Sequence, residues 1–374
     1  MIRLLYAMGG LLGRGGTEAV VFNYLRYADK SRYAIDFLIP GEDPGDELTR
    51  SLRSDGHELF FVPPRGRDPA GFSRGVKALL ESKDYDIVHS HMDASGGPVL
   101  AAAKRAGVPV RIAHSHSTGS FIPQTDLLRR EAHKAVLKES VFELRRCANV
   151  FAACSQEAGE WLFGKKPFSV VPNGVELEKF AFDPAARSQL RSELGLEDKV
   201  ILICVGRLSP EKNQTFLVDV MRLLDEKYVL LLVGDGSQRA ELEEKTRELP
   251  GGGKTGEPPR VIFAGARPDV PRFLSAADVF VMPSVFEGLG IALIEAQANG
   301  LPCLASPGVP AEAVVADGAK RLGTLDAELW AQEIVRASAV PGRAPAPPGL
   351  ERFDAKKSAA KMFDIYERAL KENQ

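Results

Sequence analysis

The chain has 374 residues, of which 44% are hydrophobic and 26% are charged, and its formal net charge is −2. This length exceeds what one hydrophobic core usually supports, so the sequence predicts two globular domains. The near-zero charge and the lack of a basic run interleaved with aromatic residues argue against a nucleic-acid-binding protein. The four cysteines include no CxxC pair, which favours buried reduced thiols over disulfides or zinc ligands.

The first eight residues predict a buried strand and not a signal peptide, since they lack a basic n-region and a long apolar h-region. Nowhere in the sequence does an apolar run approach membrane-spanning length. We therefore expect a cytoplasmic protein, with peripheral contact at the inner face of the membrane as a further option.

Short apolar strands alternate with helical stretches along the chain, a pattern typical of α/β proteins with parallel sheets. In the first half we predict strands at 2–8, 34–39, 58–62, 86–89, 110–113 and 150–154. The helices predicted between them include 17–28, 72–81 and 127–147. The second half restarts the pattern with strands at 200–205, 229–233, 261–264, 279–282 and 303–305.

A Pro-Asn-Gly turn within 170–175 predicts a hinge between the two halves. Apolar residues at helical spacing after the Pro-rich segment 341–348 predict a C-terminal helix near 353–370. The predicted domains are 1–170 and 171–352, followed by the helix in 353–374.

The loop that opens the first helix contains Gly15 and Gly16, and glycines there permit close backbone approach to a ligand. The loop does not satisfy G-x-G-x-x-G, since Glu18 stands at the third glycine position counted from Gly13. A nicotinamide-dependent dehydrogenase is therefore disfavoured.

Histidines end two successive predicted strands, a position on the functional face of a parallel sheet. His89 and His91 end the first of these strands, and His114 and His116 end the next. Satisfied structural histidines are one interpretation, above all for His89 and His91. A metal site of two or three histidines is the alternative, which is disfavoured because no well-placed acidic partner accompanies it.

The predicted helix 126–147 carries six basic and four acidic side chains. Such a helix could contact anionic lipid at a membrane surface. We favour the simpler interpretation of a solvated surface.

Arg207 and Lys212 follow the first strand of the second half directly. Because ligands of open α/β sheets lie outside the carboxyl ends of strands, both cations are expected where a ligand would bind. A diphosphate suits them, since Arg engages it bidentately and Lys acts as a point charge. Two solvated surface cations are the alternative.

The segment 283–300 combines Glu287, Gly288 and Glu295 in a turn and the short helix that follows. This places two carboxylates at different depths of one helix entrance, beside backbone N–H groups without intrahelical partners. Carboxylates accept hydrogen bonds from hydroxyls, and free N–H groups attract phosphate oxygens. The combination suits a sugar nucleotide, although solvated glutamates in an ordinary βα unit would give the same sequence.

Taken together, these motifs resemble the retaining family-4 glycosyltransferases, closest to the branch of capsular and exopolysaccharide synthesis. The resemblance spans nearly the whole chain and includes the glycines, the two histidine pairs, the Asn-Gly turn, the two cations and the two glutamates. It implies the GT-B fold, in which two Rossmann-like halves face each other and a C-terminal helix crosses back to the N-terminal domain.

The resemblance also implies roles for individual residues in the second half. Arg207 and Lys212 would bind the diphosphate, and Glu295 would bind the ribose hydroxyls. Glu287, with the backbone of Gly288 and Leu289, would hold the transferred sugar.

In the first half, the resemblance implies that His116 lies near the reacting face of the sugar, with His114 as the alternative register. Gly15 and Gly16 would line the phosphate or acceptor side. The expected reaction moves a sugar from a UDP-sugar to a hydroxyl acceptor with retention of configuration, without a metal or cofactor. The acceptor would be a sugar, a lipid-linked molecule or a small molecule. A GT-B 2-epimerase and a non-catalytic two-domain binding protein are the alternatives.

Overall fold

The computed structural model describes residues 1–13, 15–119, 127–247, 249 and 259–373, without the side chains of residues 127 and 128. The chain divides into two compact units. Unit 1 comprises Met1–Gly174 together with Ala355–Gln374, and unit 2 comprises Val175–Asp354.

Thirteen strands are present in the described residues. They are β1 Ile2–Met8, β2 Tyr33–Pro40, β3 Leu59–Val62, β4 Ile87–His91, β5 Val110–Ser115, β6 Val150–Ala153, β7 Ser169–Val170, β8 Val200–Val205, β9 Tyr228–Val233, β10 Val261–Gly265, β11 Val279–Met282, β12 Cys303–Ala305 and β13 Ala319–Arg321. Every predicted strand is confirmed. The sequence-based prediction missed β7 and β13, which have only two and three residues.

Thirteen α-helices are present in the same residues. They are α1 Gly16–Tyr27, α2 Glu47–Ser54, α3 Pro69–Ser82, α4 Gly97–Arg105, α5 Leu127–Cys147, α6 Gln156–Phe163, α7 Pro184–Leu194, α8 Gln214–Arg222, α9 Arg239–Thr246, α10 Val270–Ala276, α11 Ile291–Ala298, α12 Ala327–Ser338 and α13 Ala355–Glu372. The predicted helix 126–147 corresponds to α5, and residue 126 lies outside the described residues.

Local sequence signals explain where several helices begin and end. Helix α3 begins at Pro69, and the side chain of Asp68 caps it by accepting from the Gly71 N–H at 2.7 Å. Helix α7 ends at Leu194, and the N–H of the left-handed Gly195 (φ 64°) that follows donates to carbonyls of the last turn. The helices therefore have definite ends, and the loops at the strand ends start from fixed points.

Each unit is built on one parallel sheet in the described part of the chain. The strand order is β3-β2-β1-β4-β5-β6-β7 in unit 1 and β10-β9-β8-β11-β12-β13 in unit 2. The first strand of unit 1, β1, lies between β2 and β4, and the first strand of unit 2, β8, lies between β9 and β11. The strand order therefore reverses between β1 and β4, and again between β8 and β11. Ligands of open α/β sheets bind at such points, beyond the carboxyl ends of the strands.

The C-terminal helix α13 packs on α1 and β5 within unit 1. The approach is close: a Cβ on Gly174 would lie 2.5 Å from the Cα of Ala355. One face of α13 is buried, including Met362 and Tyr366. This confirms the predicted return of the C-terminal helix to the N-terminal domain.

None of the described helices is both long and apolar enough to cross a bilayer. All four cysteines are free thiols, as predicted, and three of them are buried.

Candidate functional site

Two glycines shape the loop that follows β8 in unit 2. Gly206 has φ +155° and Gly234 has φ +148°, and a Cβ on Gly234 would lie 1.9 Å from the carbonyl oxygen of Gly206. The backbones that follow β8 and β9 therefore approach so closely that only glycine fits at position 234. The Leu208 N–H then donates to the Asp235 carbonyl at 3.0 Å. These contacts fix the segment that presents Arg207 and Lys212.

Lys212 and Glu287 form an ion pair at the carboxyl ends of β8 and β11. The Lys212 Nζ lies 2.6 Å from Glu287 Oε1, and the Ser284 hydroxyl donates to the same oxygen at 2.6 Å. The Glu287 side chain is 10% exposed and that of Lys212 is 23% exposed. A short, partly buried, charge-assisted bond holds both side chains in one geometry. The structure therefore brings these two predicted residues together at the switch point of the sheet.

Arg207 lies on the same loop but is far more accessible. Its side chain is 71% exposed, and its only ionic partner among the described residues is Glu211, at 3.6 Å. The backbone of Glu211 in turn accepts from the Val285 N–H at 2.8 Å, which joins the loop after β8 to the loop after β11. An exposed pair at this distance contributes little to stability, so the guanidinium can exchange it for a ligand anion at small cost.

The turn between β11 and α11 carries Gly288 and Leu289. Leu289 is buried, and Gly290, which precedes the helix, has a left-handed φ of 85°. The Glu287 N–H donates to the Gly308 carbonyl at 2.9 Å. The backbone of this turn is therefore held close to the Glu287 carboxylate.

Glu295 lies on the second turn of α11, beyond the helix entrance itself. Burial raises the pKa of its carboxyl to about 7. Its side chain has no hydrogen-bond or ion-pair partner among the described residues, and no measured contact links it to Lys212 or Glu287. A half-buried carboxyl of this kind gains most from a ligand that donates hydrogen bonds to it.

In unit 1, Gly15 and Gly16 stand at the start of α1, after the loop that follows β1. A Cβ on Gly15 would lie 2.2 Å from Glu18 Oε2, so the Glu18 carboxylate covers the entrance of this helix. A carboxylate at that place repels phosphate and accepts hydrogen bonds from hydroxyls. The start of α1 therefore carries a negative charge, whereas a phosphate-binding loop would need a positive one.

Four buried imidazoles lie at the ends of β4 and β5; we call His89, His91, His114 and His116 the histidine quartet. The rings of His89 and His91 are tilted by 36° with centroids 3.9 Å apart, and those of His114 and His116 stack at 4.1 Å. Residues two apart on a strand share a face, which explains both close pairs. The quartet is therefore two close pairs of rings side by side.

Hydrogen bonds join the two pairs across the two strands. His89 Nε2 lies 3.0 Å from His114 Nδ1, and His91 Nδ1 lies 2.8 Å from His116 Nε2. His89 Nδ1 also contacts the Tyr366 hydroxyl of α13 at 2.6 Å. Among the described residues, one nitrogen each of His91 and His114 remains without a partner, and the second nitrogen of His116 has only a loose hydrogen bond to Asn173.

The quartet is neutral near pH 7. Burial, reinforced by the neighbouring histidines, lowers the pKa of His89, His91 and His114 well below the usual range. Burial lowers the pKa of His116 to about 4. Neutral imidazoles carry one donor and one acceptor each, which suits the observed ring-to-ring hydrogen bonds.

The quartet has the residues of a metal site but a different arrangement. His89, His91 and His114 each offer a nitrogen within 4.8 Å of the others. Imidazole lone pairs lie in the ring plane, and the measured ring pairs lie within 36° of parallel. Lone pairs of stacked rings run side by side, whereas a tetrahedral metal needs them to converge. The geometry thus favours hydrogen bonding over metal ligation.

His116 follows the end of β5, whereas His114 lies within that strand. The backbone N–H of His116 donates to Asp93 Oδ1 at 2.6 Å, and Asp93 itself has a left-handed φ of 45°. Burial raises the pKa of Asp93 to about 6, although hydrogen bonds from His116 and Ser117 act in the opposite direction. His116 is therefore the histidine held in the loop beyond the strand.

Sequence reasoning missed three residues of these clusters. Ser284 precedes Glu287 by three residues, and Asp93 follows His91 by two, so both could have been found as polar residues at strand ends. Tyr366 reaches His89 from 277 residues away, a contact that no local signal predicts.

Helix α5 has a mixed surface. Phe142 is 65% exposed and Val136 is 46% exposed, among the charged side chains. Lys134 pairs with Glu131 at 2.7 Å, and Arg145 Nε donates to the Leu162 carbonyl at 2.9 Å. Some of its basic side chains therefore serve the fold of unit 1.

Comparison with known families gives matches in both units. Residues 14–179 match the family described as Glycosyltransferase Family 4. Residues 199–339 match the family described as Glycosyl transferases group 1.

Among curated proteins, the chain is 34% identical to one named as the glycosyltransferase EpsF of Bacillus subtilis (strain 168), over 97% of this chain and 96% of that one. It is 32% identical to the UDP-Gal:alpha-D-GlcNAc-diphosphoundecaprenol alpha-1,3-galactosyltransferase of Escherichia coli, over 78% of this chain and 76% of that one.

Solved structures share the fold at lower identity. Anabaena Alr3699/HepE in complex with UDP and glucose superposes with a TM-score of 0.78 at 20% identity, over 98% of this chain and 100% of that one. Sucrose-phosphate synthase (tll1590) from Thermosynechococcus elongatus gives a TM-score of 0.79 at 21% identity, over the full length of both chains.

Proposed function

Because this chain belongs to the family-4 glycosyltransferases and has the GT-B fold, we propose that it transfers a sugar from a UDP-sugar to a hydroxyl acceptor. The proposed transfer retains the configuration of the sugar and serves the synthesis of an exopolysaccharide, a capsule or another glycoconjugate. The enzyme class is a transferase, so the non-catalytic binding protein is no longer an alternative. The donor and the stereochemistry are the new parts of the proposal.

The Lys212–Glu287 ion pair is the observation that carries this proposal. It lies where the strand order of unit 2 reverses, and Ser284 fixes the same carboxylate oxygen. A cation and an anion held side by side match a donor that joins a charged diphosphate to a neutral sugar. In the bound state Lys212 would turn its charge to the diphosphate, while Glu287 would accept hydrogen bonds from the sugar hydroxyls.

Arg207 would supply the second positive charge. Its side chain is exposed and lies 3.6 Å from Glu211, so it can leave that partner and engage the diphosphate bidentately. Preorganised cations beside a leaving group stabilise the charge that develops as the glycosidic bond breaks. We propose that Arg207 and Lys212 carry out this task without a divalent metal ion.

The rest of the donor would be held by α11 and the turn before it. Glu295 would accept hydrogen bonds from the ribose hydroxyls, because burial leaves its carboxyl without a partner of its own. The backbone N–H groups of Gly288 and Leu289 would contact the transferred sugar. With both sugars and the diphosphate fixed, the reaction depends on positioning and charge stabilisation, and no enzyme nucleophile is needed.

Unit 1 would bind the acceptor. The Glu18 carboxylate over Gly15 favours hydroxyl groups at the start of α1, which makes Gly15 and Gly16 part of an acceptor site and not of a phosphate site. The relative from Escherichia coli has a lipid-linked acceptor in its name. A lipid-linked acceptor would place this enzyme at the cytoplasmic face of the membrane, with the exposed Phe142 of α5 available for contact.

A donor screen tests the proposal most directly. The protein is heated with UDP-, GDP- and ADP-sugars, and stabilisation by each ligand is measured as a shift in Tm. We expect UDP-sugars to raise Tm, and we expect Lys212→Ala to remove the shift. Lys227→Ala, which changes an exposed lysine of unit 2, is the matched control and should keep it.

Product analysis then separates the remaining functions. Transfer requires an acceptor, and the anomeric configuration of the product reports retention or inversion by NMR. Formation of an epimer from UDP-GlcNAc alone would instead support the 2-epimerase. If no nucleoside diphosphate sugar stabilises the protein, the proposed donor site is wrong.

A further inference from the structure

The two ring nitrogens of His116 are held unequally. His91 engages Nε2 at 2.8 Å, whereas the buried Nδ1 has no partner at full hydrogen-bond geometry among the described residues. A loose hydrogen bond from the ring to the Asn173 side chain raises the pKa of His116 against the effect of burial. Buried polar atoms in folded proteins nearly always have well-formed hydrogen bonds. A ligand hydroxyl that takes the place of the loose Asn173 contact would give Nδ1 such a bond.

The hydrogen bond between His91 and His116 decides whether His116 Nδ1 is a donor or an acceptor. Both rings are buried and neutral, so exactly one hydrogen lies in the His91 Nδ1 to His116 Nε2 contact of 2.8 Å. If His91 donates this hydrogen, His116 Nδ1 carries its own and acts as a donor; in the reverse case it is an acceptor. His91 therefore sets the tautomer of His116 as well as the orientation of its ring.

Asp93 fixes the backbone of the same residue. Its left-handed conformation (φ 45°) turns the carboxylate back toward β5, where it accepts from the N–H groups of His116 and Ser117. This conformation is uncommon for a residue other than glycine, and asparagine and aspartate tolerate it best. A strained residue beside a candidate site is often part of how that site is preorganised.

We propose that His91 and Asp93 are positioning residues that hold the His116 imidazole in one orientation and one tautomer, so that Nδ1 can exchange its loose Asn173 contact for a substrate hydroxyl. The inference rests on the proposed function, because it takes His116 as the group near the transferred sugar. His91 acts through the ring, and Asp93 acts through the backbone.

The quartet supplies its own matched control. His89 is as deeply buried as His91, lies against it with ring centroids 3.9 Å apart and hydrogen-bonds to a histidine, but its partners are His114 and Tyr366. His89→Phe and His91→Phe therefore remove equivalent groups from one cluster and preserve ring stacking. Only His91→Phe removes the hydrogen-bond partner of His116 Nε2.

The kinetic experiment compares these variants with a UDP-sugar and an acceptor. We expect His91→Phe to lower kcat about 10- to 100-fold with a small change in donor KM, since misplacement by about 1 Å has costs of this size. His91→Asn, which restores a polar group near the Nδ1 position, should recover part of the rate. His89→Phe should keep the wild-type kcat.

Two variants of Asp93 separate its conformation from its carboxylate. Asp93→Gly tolerates the left-handed backbone but lacks the acceptor, and we expect it to lower kcat. Asp93→Asn keeps an acceptor oxygen and tolerates the same backbone, and should retain most of the rate. Equal losses in the two variants would contradict the assignment of Asp93.

Nitrogen-15 NMR of the histidine rings provides a readout that needs no activity. We expect one tautomer of His116 in the wild-type protein and in His89→Phe, and an averaged signal in His91→Phe. Equal kcat in the two phenylalanine variants, or an unchanged His116 signal in His91→Phe, would overturn the proposal. If the wild-type protein transfers no sugar, the proposed function fails, and the NMR comparison still decides whether His91 positions His116.

Discussion

The two switch points of this molecule carry opposite kinds of polar groups. Beyond β8 and β11, unit 2 presents Lys212 and Glu287 as a charged pair with partial access to solvent. Beyond β4 and β5, unit 1 presents four histidines that burial keeps neutral. The same sheet topology therefore presents a charged pair in one unit and a neutral, hydrogen-bonded cluster in the other. The side chains at the strand ends, and not the fold, determine which ligand each unit can take.

The charged pair of unit 2 should produce the largest effect on activity. We expect Lys212→Ala to lower kcat/KM by about 10² to 10³, because one preorganised group that stabilises a leaving group typically contributes that much. Glu295→Ala should fall in the same range with the proper donor. Steady-state kinetics with Lys227→Ala as the control measures both. Turnover close to wild type in both variants would remove the assignment of the donor site.

The neutral quartet should make unit 1 sensitive to acid. The folded-state pKa values of the four histidines lie below their unfolded value of 6.5, so their contribution to stability is full above pH 6.5 and is lost as the pH falls. Each contributes up to about 1.4 kcal/mol per pH unit. Asp93, whose pKa is raised to about 6, opposes this effect over part of the range.

The two tryptophans allow each unit to be followed separately. Trp161 belongs to unit 1 and Trp330 to unit 2, so Trp161→Phe leaves a reporter on unit 2 alone. Urea unfolding at pH 7, 6 and 5 should show the wild-type signal losing stability faster than the Trp161→Phe signal. His89→Phe should reduce that difference in stability loss by the contribution of one buried histidine. Parallel loss of stability in both units would contradict this comparison.

Glu295 should give donor binding its own pH dependence. Its carboxyl has a raised pKa of about 7. The ionised form, which accepts hydrogen bonds from hydroxyls with both oxygens, is therefore depleted as the pH falls below 7. If only that form binds, the donor Kd rises about fivefold between pH 7 and pH 6. Calorimetric titrations at pH 6, 7 and 8 test this, with Glu295→Gln expected to bind weakly at each pH without the trend. A trend that persists in Glu295→Gln would assign it to another group.

Removal of metal ions should have the smallest effect. Since we propose that Arg207 and Lys212 balance the diphosphate, EDTA should leave the transfer rate unchanged. The stacked geometry of the quartet leads to the same expectation for unit 1. An EDTA-sensitive rate that zinc or magnesium restores would contradict the proposed metal independence, and histidine variants would show which unit holds the ion.

The sequence predicted the architecture because parallel strands leave a direct signal. Buried on both faces, they appear as continuous apolar runs such as 229–233, which no amphipathic surface element imitates. The short strands β7 and β13 lie at the edges of their sheets, and β13 includes the exposed Lys320 and Arg321. Without an apolar run, they had no signal to find.

The candidate site was less predictable than the fold. The sequence placed Lys212 and Glu287 at strand ends, and sheet topology suggested that they lie near each other. It did not predict that they form an ion pair, because side-chain pairing depends on distances that only the folded loops define. The stacking of the histidines and the link from His89 to Tyr366 are likewise products of tertiary packing.

The division of the chain has a consequence for how the protein is made. Unit 2 is a single continuous stretch, whereas unit 1 is assembled from residues 1–174 and from α13, which the ribosome adds only after all of unit 2. Until α13 arrives, the surface that it covers on α1 and β5 stays open to water, and His89 lacks its hydroxyl partner. Translation order therefore delays completion of the upstream unit, which makes that half the natural client for chaperones during synthesis.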